Sequence, residues 1–345
     1  MGIAFKDLLI AKEINIDYLQ NKIVAVDTNN LLYQFLTTIR SRDGTVLTDS
    51  QGHTTSHLVG MFSRTTSLMQ KGIKFIFVFD GEYPALKKKE QERRYEIKKE
   101  AQQAYEVAKE REDIDAMKKY ASRTAYLTAE MKQEAKELIS ALGFPVVDAP
   151  SEGEAQVAEL VKEGKAYAAV SQDYDTLLYS TPFLIRNLSI AGKRKKANTL
   201  AYTTVEPEML SLSDNLNALG IDKEQLIALA MLIGTDYNYG GIHGIGPKKA
   251  LKLVKEHGHK FDEMFNSVKW SESFSVSWKE VYDTFLHLPV QKNLKIEYSE
   301  LNQERLYMLL CDKHDFSRER VDSAFGKLAD VAKDKKQKGL GEFFH

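Results

Sequence analysis

Lys22-Ile-Val-Ala-Val-Asp27 is a short apolar run that ends in an acid. The pattern recurs in Lys74-Phe-Ile-Phe-Val-Phe-Asp80 and Ala166-Tyr-Ala-Ala-Val-Ser-Gln-Asp173, and Gly143-Phe-Pro-Val-Val-Asp148 is similar. Each run is rich in β-branched, aromatic or alanine residues and too short for a stand-alone helix, so the four predict buried parallel strands. Longer amphipathic stretches, such as residues 128–142, separate them. This alternation predicts an α/β fold with a mainly parallel, twisted sheet flanked by helices.

Composition restricts the class of protein. The chain has 345 residues, 43% hydrophobic and 28% charged, as expected for a globular protein with ample core. The absence of a bilayer-length apolar run or signal-peptide core, together with the single Cys311, predicts an intracellular, reduced protein with no membrane partner. The net charge of −1 argues against a nucleic-acid partner when averaged, but the charges are segregated along the chain.

Two segments interrupt the α/β pattern. Residues 87–119 are dense in Lys, Arg and Glu and contain neither Gly nor Pro, which predicts an inserted, solvated helix or helix pair. The Lys-rich end of the chain has no core periodicity, which predicts a flexible tail over residues 331–345. We therefore expect a single folded domain over residues 1–330, followed by that tail.

Acidic side chains are predicted to meet at one edge of the sheet, because ligands of an open α/β sheet bind beyond the carboxyl ends of its strands. Three acids end strands, and the others form two close pairs or close an apolar helical run. Carboxylates packed together repel one another, and an all-oxygen set without a Cys/His cluster favours Mg²⁺, with Mn²⁺ as a substitute. Two such ions would support hydrolysis of a phosphodiester. The seven acids are Asp27, Asp80, Glu152, Glu154, Asp173, Asp175 and Asp236.

Individual acids have a second interpretation. A single Asp after a strand is often a turn residue or a helix cap. Ser151-Glu-Gly-Glu154 matches a capping box, so Glu154 fits a capping role and a ligand role equally well. The functional interpretation depends on the recurrence of strands that end in Asp and on the two pairs of acids.

A glycine-rich segment follows the last acid, with the sequence Gly241-Ile-His-Gly244-Ile-Gly246-Pro247-Lys248-Lys249. Glycines permit tight turns and close backbone approach, and a proline suits the first turn of a helix whose unpaired N–H groups attract phosphate. The pattern predicts a helix-hairpin-helix motif over residues 234–260. It would bind the DNA backbone through Gly244, Gly246, Lys248 and Lys249, and the alternative is an ordinary turn between helices.

These motifs resemble the flap endonuclease branch of the structure-specific 5′ nucleases, and the archaeal type most of all. The similarity extends over essentially the whole chain and includes Val78-Phe79-Asp80-Gly81, Gln172-Asp173-Tyr-Asp175 and Gly234-Thr-Asp236. The resemblance implies a PIN-like 5′ nuclease fold in the cytoplasm or nucleoid of a prokaryotic cell. It also implies an N-terminal nuclease region over residues 1–105, an internal one over residues 123–255 and a helical arch over residues 82–127 that receives the 5′ strand.

The resemblance implies roles for several side chains. All seven acids would bind two Mg²⁺ ions, and Asp80 and Asp173 would be catalytic. Lys87 and Arg94 match the family's basic pair, which steers and polarises the scissile phosphate. Tyr33 matches the aromatic residue against which a substrate base stacks.

Further DNA contacts follow from the same resemblance. Gly2 would contact DNA at the N-terminus, and Thr55 and Phe316 fall where the family holds a one-nucleotide 3′ flap. His314 lies in that stretch, where relatives carry a basic lysine. Gly153 replaces a commoner alanine between the two glutamates, which loosens the helix start without removing a ligand.

The end of the tail fits the motif that binds the ring-shaped sliding clamp PCNA. A turn of 3₁₀ helix over residues 337–344 would place three apolar side chains on one side as a plug, with a glutamine in a separate polar pocket. A frayed tail with chance aromatics is the alternative. The residues concerned are Gln337, Leu340, Phe343 and Phe344.

The sequence therefore predicts a 5′ flap endonuclease with 5′–3′ exonuclease activity, acting as a monomer on flapped or nicked duplex DNA. Its expected setting is DNA replication, including Okazaki fragment maturation, and repair. The alternatives are a sibling 5′ nuclease for other DNA junctions and a non-catalytic, clamp-tethered junction binder. The complete acid set argues against a binder, because an anionic cleft that faces phosphate weakens binding without metal.

Overall fold

A computed structural model describes residues 3–341, apart from residues 4, 42–43, 112, 191 and 196–201. Seven of the strands in this part form one sheet in the order β1-β9-β6-β5-β2-β3-β4, and β7 pairs with β8. The strands are β1 Lys12–Glu13, β2 Ile23–Asp27, β3 Lys74–Phe79, β4 Val146–Asp148, β5 Ala168–Val170, β6 Phe183–Arg186, β7 Gly192–Lys195, β8 Tyr202–Val205 and β9 Glu208–Ser211.

Helices cover both faces of the sheet and form most of the chain after β9. They are α1 Thr28–Thr38, α2 Ser56–Gln70, α3 Lys88–Glu110, α4 Ile114–Ala121, α5 Ala129–Ala141, α6 Gly153–Lys162, α7 Leu212–Leu219, α8 Lys223–Ile233, α9 Pro247–His257, α10 Phe261–Ser267, α11 Trp270–Ser273, α12 Trp278–His287, α13 Gln303–Tyr307 and α14 Arg318–Gly341. None of the described helices is both long and apolar enough to traverse a lipid bilayer.

The centre of the sheet confirms the predicted α/β fold. Strands β6, β5, β2, β3 and β4 are parallel, while β9 runs antiparallel to β6 and β1 antiparallel to β9. From β2 the chain proceeds outward to β3 and β4, and then returns to β5 on the other side of β2. This reversal opens a crevice at the carboxyl ends of β2 and β5, where ligands of such sheets bind.

Alternate residues of the central strands enter two cores. Val24 and Phe75 pack with apolar residues of α2 and α5 on one face. Ala25 and Ile76 pack with α6 and α8 on the other face. Burial on both faces explains why these strands are continuously apolar rather than alternating.

The inserted segment is a helix pair, α3 and α4, as the charge pattern predicts. In α3 the buried residues are Glu90, Ala101 and Ala108, so most of its charged surface faces solvent. A 3₁₀ turn over Ala85–Lys87 leads into α3 directly from the end of β3. The base of the insertion is therefore fixed next to the sheet edge where the acids are predicted to meet.

The structure differs from the sequence prediction in its antiparallel parts and at its end. Strands β1, β9 and the β7–β8 pair were not predicted, since β1 has two residues and Glu208-Met-Leu-Ser211 lacks a clear period. The parallel strand β6 was not predicted either. The sequence predicts a flexible tail from residue 331, whereas α14 continues to Gly341. Residues 331–338 contain neither Gly nor Pro, so no residue there stops the helix.

Helix α14 returns to the first helical layer. Its Phe325 ring packs edge-on against Phe62 of α2, with ring centroids 6.3 Å apart. A cavity of about 760 Å³ lies between the two helices and the loop before α2. The wall of this cavity thus combines residues more than 250 positions apart in the sequence.

Candidate active site

Asp27 lies at the end of β2 and begins the site. Its carboxylate caps α1 by accepting a 3.1 Å hydrogen bond from the Asn30 backbone N–H, and it accepts another from Ser171 Oγ at 3.2 Å. The residue is 4% exposed. One acid thus connects the carboxyl end of β2, the start of α1 and the loop after β5.

Asp80 follows β3 and reaches the start of α6. Its Oδ2 accepts hydrogen bonds from Asn29 Nδ2 at 2.6 Å and Tyr83 Oη at 2.8 Å, and its Oδ1 accepts one from the Gly153 backbone N–H at 2.7 Å. The Gly153 position is crowded, because a Cβ there would lie 2.8 Å from Asp80 Oδ1. The glycine therefore allows the carboxylate of Asp80 to approach the helix start closely.

The capping interpretation of Glu154 is wrong. The N-cap residue of α6 is Glu152, and its side chain makes no capping hydrogen bond. Ser151, which the capping box would place at the N-cap, donates instead to the Glu82 carbonyl oxygen at 2.9 Å. The structure therefore leaves the Glu154 carboxyl available for the acid cluster.

The paired acids after β5 are held by the N-terminal part of the chain. Asn30 Nδ2 donates to Asp173 Oδ2 at 2.7 Å, and the Ile3 backbone N–H donates to Asp175 Oδ1 at 2.9 Å. Asp175 is buried and begins a 3₁₀ helix. The turn after β5 thus directs both carboxyl groups to the crevice beside Asp27.

Lys87 and Arg94 enter this crevice from the base of the arch. Lys87 Nζ lies 2.7 Å from Glu152 Oε1 and 3.0 Å from Asp236 Oδ2, with its side chain 12% exposed. Arg94 Nη2 lies 2.5 Å from Asp236 Oδ1. The basic pair that the resemblance implies therefore faces the predicted acids, although no sequence pattern places the two groups together.

Burial and mutual repulsion perturb the buried acids. Burial raises the pKa of Asp27 to about 8, and Asp80 and Asp173 add repulsion. Burial also raises the pKa of Asp175 to about 7, with a further contribution from Asp173. The pKa of Glu154 is raised for the same reasons, first by burial and then by Asp175 and Asp27. These effects link the predicted acids into one electrostatic cluster.

The groups next to the arch favour their charged forms instead. Burial disfavours the charged form of Lys87, but Glu152 and Asp236 outweigh it and raise the lysine pKa. Burial likewise opposes ionisation of Asp236, yet Lys87 and Arg94 lower the pKa of that carboxyl group. The part of the acid cluster next to the arch is therefore charged and paired.

The donor set fits a hard divalent cation. Its members are carboxylate oxygens, which Mg²⁺ and Mn²⁺ prefer, and a cation would favour the ionised forms that burial and repulsion oppose. In the part of the chain that the structure describes, no three acidic, histidine or cysteine side chains are grouped closely enough to hold a metal by themselves. Among the described residues, Lys87 and Arg94 bring positive charge next to Glu152 and Asp236.

The hairpin follows the last acid as the sequence predicts. Helix α8 ends at Ile233 and α9 begins at Pro247, with Gly246 as its N-cap. Gly241 has a φ of +62° and Gly244 one of +75°, conformations that L side chains adopt rarely. Lys248 and Lys249 are exposed in the first turn of α9.

Thr55 and Phe316 line the cavity between α2 and α14. The neighbouring His314 is 2% exposed and is enclosed by acids, with Nδ1 2.9 Å from Asp49 Oδ2 and Nε2 2.9 Å from Glu134 Oε1. His314 therefore supports the wall of the cavity rather than offering a charge to its interior.

Comparison with known proteins decides the family. The XPG N-terminal domain matches residues 1–101, and the XPG I-region matches residues 143–236. Flap endonuclease 1 of Pyrococcus abyssi is 44% identical over 344 residues, covering 100% of this chain and 98% of the relative. The chain belongs to the flap endonuclease 1 family. As a member of that family, it is a structure-specific 5′ flap nuclease and a metal-dependent hydrolase of DNA.

Solved structures agree with this membership. The flap endonuclease-1 from Methanococcus jannaschii has a TM-score of 0.76 at 37% identity, over 97% of this chain and 100% of that chain. The catalytic core of Rad2 in complex with DNA substrate has a TM-score of 0.68 at 23% identity, over 95% of this chain and 100% of that chain, and shows the fold alone. The flap endonuclease 1 fold is thus the PIN-like 5′ nuclease fold that the resemblance implies.

Several residues of this flap endonuclease 1 family site were not predicted from the sequence. Asn29 and Asn30 orient two of the acids, and Tyr179 Oη donates to Glu152 Oε2 at 3.1 Å. The Asn29-Asn30 pair, two residues after the strand-ending Asp27, was a usable signal. Tyr179 and the buried Glu90 of the arch gave none, because their roles depend on contacts distant in sequence.

Some of the remaining predicted residues lie outside the part of the chain that the structure describes. Tyr33 is 38% exposed on α1, with Lys98 Nζ 4.8 Å from its ring centroid. Gly2 lies outside the described residues, and so do Phe343 and Phe344 of the predicted clamp motif. Its other two residues, Gln337 and Leu340, lie in α14, where only the backbone is described.

Proposed function

We propose that the seven acids hold two Mg²⁺ ions and that the enzyme hydrolyses DNA phosphodiesters at flap–duplex junctions. The observation that carries the proposal is the approach of Lys87 to both Glu152 and Asp236. Lys87 lies at the base of the arch and contacts acids of two other elements. The arch, the sheet and the hairpin therefore meet at this lysine. A scissile phosphate bound at that point would contact the acids' metal ions and the basic pair together.

The bound ions supply Lewis-acid stabilisation of the negative charge that develops during phosphodiester hydrolysis. Lys87 and Arg94 donate hydrogen bonds to the phosphate oxygens as that charge develops. Asn29, Asn30 and the Gly153 backbone N–H hold the acids in fixed orientations. Preorganisation of this kind lowers the barrier, because the donors need little rearrangement during the reaction.

The surfaces around the site suit a branched substrate. We propose that the exposed Lys248 and Lys249, with the α9 N-terminus, bind the duplex backbone without reading sequence. Tyr33 is partly exposed on α1 beside Lys98 of α3, and its ring would stack on a base next to the cut. Thr55 and Phe316 would receive the 3′ flap in the cavity between α2 and α14.

We further propose 5′–3′ exonuclease action from the same site, because a 5′ end at a nick or gap presents the same phosphate geometry. The enzyme would act as a monomer in replication, including Okazaki fragment maturation, and in repair, within the nucleoid of an archaeal-type cell. The motif over residues 337–344 would bind the PCNA sliding clamp and bring the enzyme to DNA that the clamp encircles.

Cleavage of an end-labelled 5′ flap with and without Mg²⁺ tests the proposal. Asp80→Ala and Asp173→Ala should each abolish cleavage while the flap still binds, because each removes a metal ligand. Asp148→Ala is the matched control, since Asp148 also ends a strand at this edge but its side chain is 65% exposed and pairs with Lys136. Normal turnover by the Asp80 or Asp173 variant at ordinary Mg²⁺ would remove the two-metal assignment.

A further inference from the structure

Glu90 is a buried carboxylate on α3, a helix whose other buried residues are the small Ala101 and Ala108. It lies in the first turn of α3 and is 4% exposed. Arg93 donates two hydrogen bonds to the Glu90 carboxylate, from Nε to Oε2 at 2.7 Å and from Nη2 to Oε1 at 2.8 Å. Arg94 Nε donates a third to Oε1 at 2.7 Å. Burying a carboxylate is costly unless it is paired, so this arrangement fixes both arginines relative to α3.

Both arginines then contact one loop. Arg94 Nη2 lies 2.5 Å from Asp236 Oδ1. The Arg93 guanidinium lies over the Tyr239 ring, with Cζ 3.7 Å from the ring centroid, while Tyr239 stays 53% exposed. Asp236 and Tyr239 are three residues apart in the segment between α8 and the hairpin. We call the set Glu90, Arg93, Arg94, Asp236 and Tyr239 the Glu90 bridge.

The position of the Glu90 bridge determines what it connects. On one side lies the arch base, where Lys87 precedes Glu90 by three residues and Arg94 follows it by four. On the other side, the loop runs from Asp236 directly into the hairpin with the exposed Lys248 and Lys249. The bridge is therefore a short physical path from the duplex-binding hairpin to the basic pair at the acids.

We propose that Glu90 and Tyr239 are positioning residues for the cleavage reaction. Glu90 aligns the Arg94 guanidinium toward Asp236, and the Arg93–Tyr239 contact anchors that alignment to the loop before the hairpin. A duplex bound on the hairpin is thereby coupled to the placement of Lys87 and Arg94 at the scissile phosphate. This inference rests on the proposed function, and it adds two residues that touch neither the acids' metal ions nor the phosphate.

The first test separates binding from chemistry. Glu90→Gln keeps the size of the side chain but removes the charge that holds two guanidinium groups. We expect its single-turnover cleavage rate at saturating enzyme to fall about tenfold or more, while the Kd for the flap changes less than about threefold. Glu92→Gln is the matched control, because Glu92 is exposed on the same helix, and its rate should stay within about twofold of wild type.

The second test uses the ring of Tyr239. Tyr239→Phe keeps the aromatic face and should retain the rate, whereas Tyr239→Leu keeps bulk without that face and should lower it. A merely structural role would make both substitutions equal or would show as a lower melting temperature. Combining Glu90→Gln with Tyr239→Leu should slow cleavage little more than the worse single variant, because both break one path.

The outcomes are distinct. Three outcomes would overturn the Glu90 bridge as a positioning device. The first is equal cleavage rates for Glu90→Gln and Glu92→Gln, and the second is equally reduced rates in both Tyr239 variants. The third is a strictly multiplicative effect of the two substitutions in the double variant. A lower melting temperature in Glu90→Gln that accounts for the reduced rate would overturn it too. Failure of the wild-type enzyme to cut a labelled flap with Mg²⁺ would instead contradict the proposed function.

Discussion

Lys87 shows how much one side chain depends on its surroundings. Its neighbour Lys88 is exposed, whereas Lys87 is folded back between Glu152 and Asp236. The charge pattern alone does not distinguish the two lysines, because both lie in the same charged run, and only the family resemblance singles out Lys87. The acids were predictable because each lies at or near the end of a strand or helix, but the direction of Lys87 depends on the long-range closure of the arch base.

The first residue-scale prediction concerns chemistry. Lys87→Ala should slow the single-turnover cleavage step about a hundredfold while flap binding changes little, because the ammonium acts on charge that develops in the transition state. Lys88→Ala, which removes the same charge one position later, should leave that step near the wild-type rate. Unchanged chemistry in Lys87→Ala would make Lys87 an ordinary solvated lysine.

The second residue-scale prediction concerns acid. Hydrogen bonds from His314 and His53 outweigh burial and lower the pKa of Asp49 to about 2. Hydrogen bonds from His57 and Lys313 likewise outweigh burial and lower the pKa of Glu134 to about 2. Lowered carboxyl pKa values stabilise the fold above the unfolded-state pKa of about 4, and that stability is lost as pH falls from about 4 to about 2.

His314→Gln should therefore reduce the free energy of unfolding at pH 7, because Asp49 and Glu134 lose the hydrogen-bond donor that they share. It should also flatten the acid dependence between about pH 4 and about pH 2. Urea unfolding across this range measures both effects, and His243→Gln is the control because His243 is exposed. Parallel pH curves for wild type and His314→Gln would count against the network.

At the scale of elements, the hairpin was the most predictable part of the site. Gly241 and Gly244 occupy the positive φ values that only glycine adopts easily, and Pro247 begins α9. Both constraints are backbone preferences of single residues, so they can be predicted from the sequence directly. The antiparallel strands β1 and β9 were missed for the opposite reason, since their pairing of Lys12 with Met209 depends on residues almost 200 positions apart.

The hairpin prediction concerns salt. Lys248→Ala combined with Lys249→Ala should weaken binding to every duplex and flatten the dependence of log Kd on log salt by about two, since each lysine would no longer neutralise a phosphate. Lys269→Ala combined with Lys279→Ala is the control, because these exposed lysines lie outside the motif and pair with Glu272 and Asp262. An unchanged slope in the hairpin variant would show that the motif does not bind phosphate.

At the scale of the whole molecule, the clamp motif stands apart from the nuclease. The proposed motif over residues 337–344 begins in the last turn of α14, beyond the elements that build the sheet and the site. Apolar anchors dominate small interfaces, and ordering a short peptide opposes binding. The isolated interaction should therefore have a Kd of about 1 μM, and its benefit is a high local concentration of enzyme at the clamp.

Phe343→Ala combined with Phe344→Ala should leave clamp-free flap cleavage intact and abolish stimulation by the clamp. Lys335→Ala combined with Lys336→Ala changes two residues of the same segment outside the motif, and should preserve stimulation. Cleavage assays with and without clamp, together with direct clamp binding, give the result. Normal clamp binding by the double phenylalanine variant, or a defect in its basal cleavage, would contradict the assignment.

The packing of α14 on α2 has a consequence for synthesis on the ribosome. Phe325 reaches Phe62 only after almost the entire polypeptide has been translated, so α2 spends most of translation without its final cover. Apolar surface that waits for a distant partner is exposed to aggregation and to chaperones. A nascent chain stopped before residue 318 would have its sheet and its seven acids but would lack one wall of the cavity. The cavity that we propose for the 3′ flap is therefore completed last, and on that proposal a truncated product would lack the site for this end of the DNA.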